Sequence, residues 1–284
     1  MSRPWQRGSR EDSTGSPALL TEPGTRLSIG AHMVIDARAQ PCRRWNADLE
    51  DDDFHTSEDH AVWRHLFEQQ TRALEHRVCP EYGAATARLG LGPERIPRLG
   101  ELNDRLGGLG GWRVVPVEGF VAHEEYFALV ARRHFPVAAR IRSAGEMAHS
   151  RQPDIFHDIF GHVPLLTHPA YDAFVVGMAE LALEHAADEK VSSLLSRAMK
   201  WTVEYGLVRD ADGGVRVYGA GLISSSLELE HVLGPVPELR PFTAEGVLST
   251  THTPASLQPA YFVIESVGAL GVALSGIRAA LAHH

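Results

Sequence analysis

Two histidines held between two prolines constrain this chain more than any other feature. The stretch PDIFHDIFGHVPLL, residues 153–166, carries His157 and His162. Pro153-Asp154 suits a helix start, because the fixed proline φ fits a first turn. Pro164 is expected to end that helix, because it lacks an N–H and clashes with the preceding turn. Both imidazoles then ride on about two helical turns, at a spacing of i, i+5. On an ideal α-helix that spacing leaves them roughly 140° apart around the axis, at about 100° per residue. The i, i+4 pair of a zinc-protease helix shares a face better. Spacing alone leaves two readings: a shared metal, or one histidine that only packs or caps.

A second stretch, WTVEYGL at 201–207, sets Glu204 among Val203, Tyr205 and Leu207. A buried carboxylate needs a partner, since an unpaired charge away from water is costly. A salt bridge to Arg or Lys is one partner. A metal shared with two neutral imidazoles is another, and two His plus one carboxylate form the facial triad of non-haem iron(II) oxygenases.

The composition excludes several rival classes. The 284 residues fit one large domain or two small ones, at about 150 residues per domain. The net charge of −9 disfavours a phosphate-backbone partner, so no nucleic acid is expected. Two cysteines, Cys42 and Cys79, make neither a disulfide framework nor a CxxC motif. Such sparse thiols point to a reducing cytoplasm. The N-terminus has no apolar core of a secretory signal, and runs such as GALGVAL at 268–274 fall far short of the roughly 20 residues of a membrane span. The lone GxG at 219–221 has no phosphate-binding fingerprint around it.

The pattern reads as mainly α with a few short strands. Residues 1–53 are polar, Gly/Pro/Ser-rich and acidic at their end, so a disordered or loosely docked arm is expected there, followed by one folded domain over 54–284. Ser57 is read as the N-cap of a helix running to about residue 77, with Val62, Trp63, Leu66, Phe67 and Leu74 at helical spacing. Further helices are expected over 80–89, from Pro97, and over 124–134, 171–186, 189–205, 224–233 and 268–282. Strands are expected at 112–117, 215–218 and 261–265, and LGGLGG at 106–111 as a loop.

PDIFHDIFGHVPLL, WTVEYGL and YGAGLISS (218–225) together resemble the tetrahydropterin-dependent aromatic amino acid hydroxylases, and within them the short bacterial phenylalanine hydroxylases. EDHAVWRHLFEQQ (58–70), RIPRLGELNDRL (95–106), GWRVVPVEGF (111–120) and LQPAYFVIES (257–266) follow the same family in the same order, covering about residues 54 to 270. The resemblance implies a single basket-like catalytic domain. It implies iron(II) held by His157, His162 and Glu204, a tetrahydropterin such as tetrahydrobiopterin, and O2 as cosubstrate. One oxygen atom goes to the ring of an aromatic amino acid and one to the pterin. Arg142 falls where the family clamps the substrate carboxylate, which suits a bidentate guanidinium; its bland alternative is an ordinary surface salt bridge. Ser224 matches a hydroxyl supporting that carboxylate and the iron site, and Ser150 a substrate contact. On the pterin side, Tyr126 falls at the stacking aromatic, although core packing would also suit it. Val121 and His123 fall on the loop around the pterin ring, and Asp158 between pterin and iron. Glu228 matches a carboxylate behind the site.

The chain departs from the family pattern before the TVE motif. The family writes an aromatic pair there, and this chain has Met199 and Lys200. Lys200 is expected either to snorkel outward, with Trp201 covering the gap, or to alter the pocket. The implied reaction is L-phenylalanine to L-tyrosine. Alternatives are hydroxylation at the 3-position, hydroxylation of tryptophan, or a non-catalytic iron- or pterin-binding paralogue. A zinc hydrolase also fits two His and a Glu, but there is no HExxH. With no tetramerising coiled coil after the matched region, a monomer is expected.

Overall fold

The computed structural model describes residues 28–29, 33–34, 54–117, 121–147, 153–253 and 256–282. Of the expected arm, only the paired dipeptide strands β1 (Ser28–Ile29) and β2 (Met33–Val34) fall within it. The described chain is mostly helical with short strands, as the sequence pattern implies. Among the described residues no helix is long and apolar enough to cross a membrane.

Helix α1 (Ser57–Leu74) begins one residue earlier than expected. Thr56, not Ser57, is the N-cap. Its hydroxyl accepts from Asp59 N at 3.2 Å, and the Asp59 carboxylate takes Thr56 N at 2.8 Å. This reciprocal box satisfies two donors at once, which a Ser57 cap with no acid three residues on would not do. The helix stops at Leu74 rather than near 77, because His76 takes a left-handed φ of 60°. Val78 then bridges to Val217. Helix α2 (Pro80–Leu89) opens on its proline and closes on Gly90. Helix α3 (Leu99–Leu109) runs through Gly107 and Gly108, which were expected as loop. Burial of Leu102 and Leu106 outweighs the roughly 1 kcal/mol each glycine costs a helix.

Strand β3 (Arg113–Val117) pairs in parallel with β4 (His134–Ala138), across α4 (His123–Val130). The sequence reading missed β4 and extended the helix to 134. Arg133 ends the helical path with a φ of 57°, and Asp172 holds its guanidinium at 2.8 and 3.0 Å. The segment leaving β4 leads directly to Arg142.

A π-helical turn spans His157–His162, and α5 (Val163–Leu166) continues from it. Helix α6 (Pro169–Glu184) follows, and then α7 (Glu189–Met199), which passes into a second π-helical turn at Lys200–Glu204. A four-stranded sheet of order β6-β5-β8-β7 flanks this turn: β5 (Leu207–Arg209), β6 (Val215–Val217), β7 (Glu238–Pro241) and β8 (Ala260–Ile264). Within this sheet β5 and β6 pair antiparallel, and the β5–β8 and β7–β8 pairs are parallel. The short helices α8 (Ala220–Ile223) and α9 (Ser226–Val232), with α10 (Ala244–Ser249) and α11 (Leu270–Leu281), complete the packing around one continuous core.

Candidate metal centre

The first π turn explains how an i, i+5 histidine pair meets. Val163 N donates to Asp158 O, five residues back. In this bonding pattern residue i+5 lies about one turn above residue i, so the two rings share a face. His157 Nε2 and His162 Nε2 stand 3.1 Å apart, with the rings edge to face. The wide separation expected on an α-helix is therefore absent, and so is the expected stop at Pro164. Pro164 has no N–H to offer the Phe160 carbonyl, and the Tyr82 hydroxyl donates to that oxygen instead, at 2.7 Å. With the carbonyl satisfied, the helix passes through the proline to Leu166. Gly161 lets this turn approach α8, since a Cβ there would lie 2.9 Å from Ala220 O.

Glu204 closes the second π turn, in which Tyr205 N donates to Lys200 O. The Glu204 carboxylate lies 3.1 Å from His162 Nε2 and 3.7 Å from His157 Nε2. Gly221 opens the room for it: a Cβ would sit 3.3 Å from Oε2. The GxG of YGAGLISS is thus a packing device against Glu204, consistent with its lack of a phosphate fingerprint.

One potential ligand atom from each of His157, His162 and Glu204 lies within 4.8 Å of the others, and all three side chains are buried. Neither Glu204 oxygen receives a well-formed hydrogen bond. Burial pushes the Glu204 carboxyl up, but the charges of His162, His157 and Lys200 outweigh it and hold the group below the usual carboxylate range. Buried, converging and unsatisfied, the two nitrogens and the carboxylate fit a divalent cation of borderline softness such as iron(II). Ser224 orients one of them. Its hydroxyl donates to Ala220 O at 2.8 Å, so toward His157 Nδ1, 2.7 Å away, it acts as acceptor. That places the proton on Nδ1 and leaves the Nε2 lone pair free to bind a metal.

Arg142 is not on the surface; it is 3% exposed and paired with buried Asp154. Asp154 takes Arg142 Nε at 2.7 Å, Nη2 at 2.8 Å and the Arg142 N at 2.9 Å, and also His157 N at 3.1 Å. This bridge uses the Nε–Nη2 edge of the guanidinium and leaves Nη1 outside it. Asp154 thus ties the Arg142 segment to the start of the His157 helix. Sequence reading saw it only as a helix start; an acid between an upstream Arg and a motif histidine was the available signal.

Asp158 is buried beside His157 and accepts from Ala138 N at 2.7 Å; burial raises its carboxyl to about 7. Tyr126 is buried edge-on to Phe127 and Phe135, and Phe135 in turn contacts His162. The half-buried His123 lies against Phe127 and 3.4 Å from Ser196 Oγ, and Val121 packs at the margin of the core. Glu228 is buried behind the triad, where Tyr261 donates to it at 3.3 Å; burial raises its carboxyl. Met199 is buried. Trp201 is buried too, its Nε1 bonded to Thr250 O at 2.8 Å. Lys200 does not snorkel: it is 1% exposed, its ammonium lies 4.3 Å from the centre of the Tyr205 ring, and burial lowers its pKa to about 8. Sequence reading missed Tyr205 and His252, which stack on each other beside it. Ser150 lies outside the described residues.

A family model described as "Biopterin-dependent aromatic amino acid hydroxylase" matches residues 45–279. The chain is 39% identical to a phenylalanine-4-hydroxylase of Pseudomonas aeruginosa over 206 residues, covering 72% of this chain and 78% of that one. It is 33% identical to the phenylalanine-4-hydroxylase of Chromobacterium violaceum over 215 residues, 75% of this chain and 72% of the relative. Among solved structures, the Chromobacterium violaceum phenylalanine hydroxylase with bound oxidised Fe(III) superposes with a TM-score of 0.77 at 32% identity, covering 81% of this chain and 83% of that one. Phenylalanine hydroxylase from Legionella pneumophila superposes with a TM-score of 0.74 at 36% identity, covering 78% and 87%.

Proposed function

This chain belongs to the biopterin-dependent aromatic amino acid hydroxylases, and from that premise we propose that it is an iron(II)- and tetrahydropterin-dependent mono-oxygenase converting L-phenylalanine to L-tyrosine. The observation that carries the reading is the buried convergence of His157, His162 and Glu204 with unsatisfied carboxylate oxygens. Iron, when bound, supplies the place where dioxygen is reduced, with two electrons from the tetrahydropterin. The chain's own residues do the rest. Ser224 fixes the His157 tautomer. Asp154 holds Arg142 rigid, so that the remaining guanidinium edge can take the substrate carboxylate without first being ordered. Tyr126, Val121, His123 and Asp158 form the pterin side, with Asp158 pinned to the β4 backbone. Glu228, Met199 and Trp201 back the substrate side, and the dry walls strengthen each polar contact inside.

The test is anaerobic loading with iron(II), then reduced tetrahydropterin, O2 and either L-phenylalanine or L-tryptophan. Tyrosine formed with matching pterin oxidation is the expected result. A protein that holds iron yet hydroxylates neither amino acid overturns the reading, and a 3-hydroxylated product redirects it. A cytoplasmic location, supported by the sparse thiols, a catalytic domain over 54–284 and a monomeric chain are proposed with it; sedimentation of the full chain at micromolar concentration should give a single species near 31.1 kDa.

A further inference from the structure

Lys200 opens the second π turn and Glu204 closes it, and the Glu204 carboxylate lies within electrostatic reach of the Lys200 ammonium. The ammonium of Lys200 is fully buried, and no oxygen accepts any of its N–H groups. Its contact is the face of Tyr205, whose ring is stacked on His252. Two acids lie within electrostatic reach, Glu204 and Glu228. Glu204 belongs to the metal set, and Glu228 already accepts from Tyr261. A cation–π contact offsets only part of the cost of burying a cation, and a buried donor without an acceptor is rare in a folded protein. Lysines that can reach water do so by snorkelling; this one is held inside, next to the metal ligand.

We infer that Lys200 is a specificity-determining residue whose ammonium receives an oxygen carried on the ring of an aromatic amino acid, so that the pocket favours a phenolic ring over an unsubstituted phenyl ring. This rests on the hydroxylase reading of the same site. A site built to donate a hydrogen bond discriminates against the analogue without the acceptor, because the donor is then left buried and unpaired. L-Phenylalanine still binds through Arg142, but it leaves Lys200 unmatched.

The test is calorimetric titration of the iron(II)-loaded full chain, anaerobic and without pterin, with L-phenylalanine, L-tyrosine and L-3-hydroxyphenylalanine. At least one phenolic ligand binds about tenfold or more tightly than phenylalanine. Lys200→Met, which keeps length but no donor, removes that preference and tightens phenylalanine. Lys200→Gln, which keeps an N–H donor, retains it. The inference is overturned if the wild-type chain shows no phenolic preference, a result that needs no variant to fold, or if Lys200→Met shows the same ratio. Turnover of phenylalanine with no phenolic preference sinks the Lys200 assignment alone. If the chain holds iron but neither binds nor hydroxylates any aromatic amino acid, the hydroxylase reading falls as well.

Discussion

The two π turns that carry the candidate metal ligands share one backbone solution and differ in what surrounds it. Around His157–His162 the polar groups are matched: His157 meets Ser224, Asp158 takes the Ala138 N–H, Asp154 caps the entry, and Tyr82 takes the Phe160 carbonyl. Within Lys200–Glu204, Thr202 satisfies the Ala198 carbonyl at 2.6 Å, but both Glu204 oxygens and the Lys200 ammonium stay without hydrogen bonds. The first turn is a completed scaffold. The second keeps its polar capacity for what arrives from outside, an ion on one side and, by our inference, a substrate oxygen on the other. A π turn suits both tasks, because it rotates side chains off the α-helical register without ending the helix.

The largest effect expected is on metal. Glu204→Ala should weaken iron(II) binding by more than about 100-fold, beyond the roughly 10–100-fold expected for Ser224→Ala, which touches only the orientation of a ligand. Metal titration with far-UV circular dichroism as a fold check measures both. Equal iron affinity in the Glu204 variant would remove it from the ligand set. Next comes the entry to the first turn: Asp154→Ala strands the buried Arg142 guanidinium and should cost about 3–5 kcal/mol in urea unfolding. Gly161→Ala forces a Cβ toward Ala220 O and should cost about 1–3 kcal/mol. Tyr82→Phe leaves the Phe160 carbonyl buried without its donor and should cost about 1–2 kcal/mol. No change there would mean that Pro164 is accommodated without that bond.

A further effect lies beside the second turn and depends on pH. Burial, with the Lys200 charge adding to it and Glu204 opposing, lowers His252 from 6.5 to about 3. Between these values the unfolded chain binds more protons than the folded one, so stability rises with pH across that window and is lost as pH falls through it. His252→Asn should flatten that part of the stability–pH curve. An unchanged slope in denaturant titrations from pH 6.5 down to 3 would show that His252 is not held neutral.

Much of the site was legible because its residues lie in short, dense motifs. The mostly helical pattern and the α2 start at Pro80 follow from local sequence, and the three candidate ligands follow from the family resemblance of those motifs. What was not legible depends on partners far along the chain. An i, i+5 pair looked divergent because helical spacing assumes an α-helix. Strand β4 reads as helix from sequence because its partner among the described residues, β3, is supplied by the fold. For Arg142 the sequence leaves a substrate clamp and a surface salt bridge both open, because its burial against Asp154 depends on the fold. Gly107 and Gly108 read as loop because their helix is held by burial of its leucines rather than by propensity.

The sequence by itself determined the family, the donor set of two imidazoles and one carboxylate, and the departure at Met199 and Lys200. Only the tertiary structure decided that His157 and His162 converge, that Pro164 is passed rather than obeyed, and that Lys200 stays inside. The physical reason is that a π turn and a buried ammonium are both unfavourable locally. They persist where distant groups hold them: Tyr82, 78 residues from Phe160, Ala220 against Gly161, and the Tyr205 ring beneath Lys200.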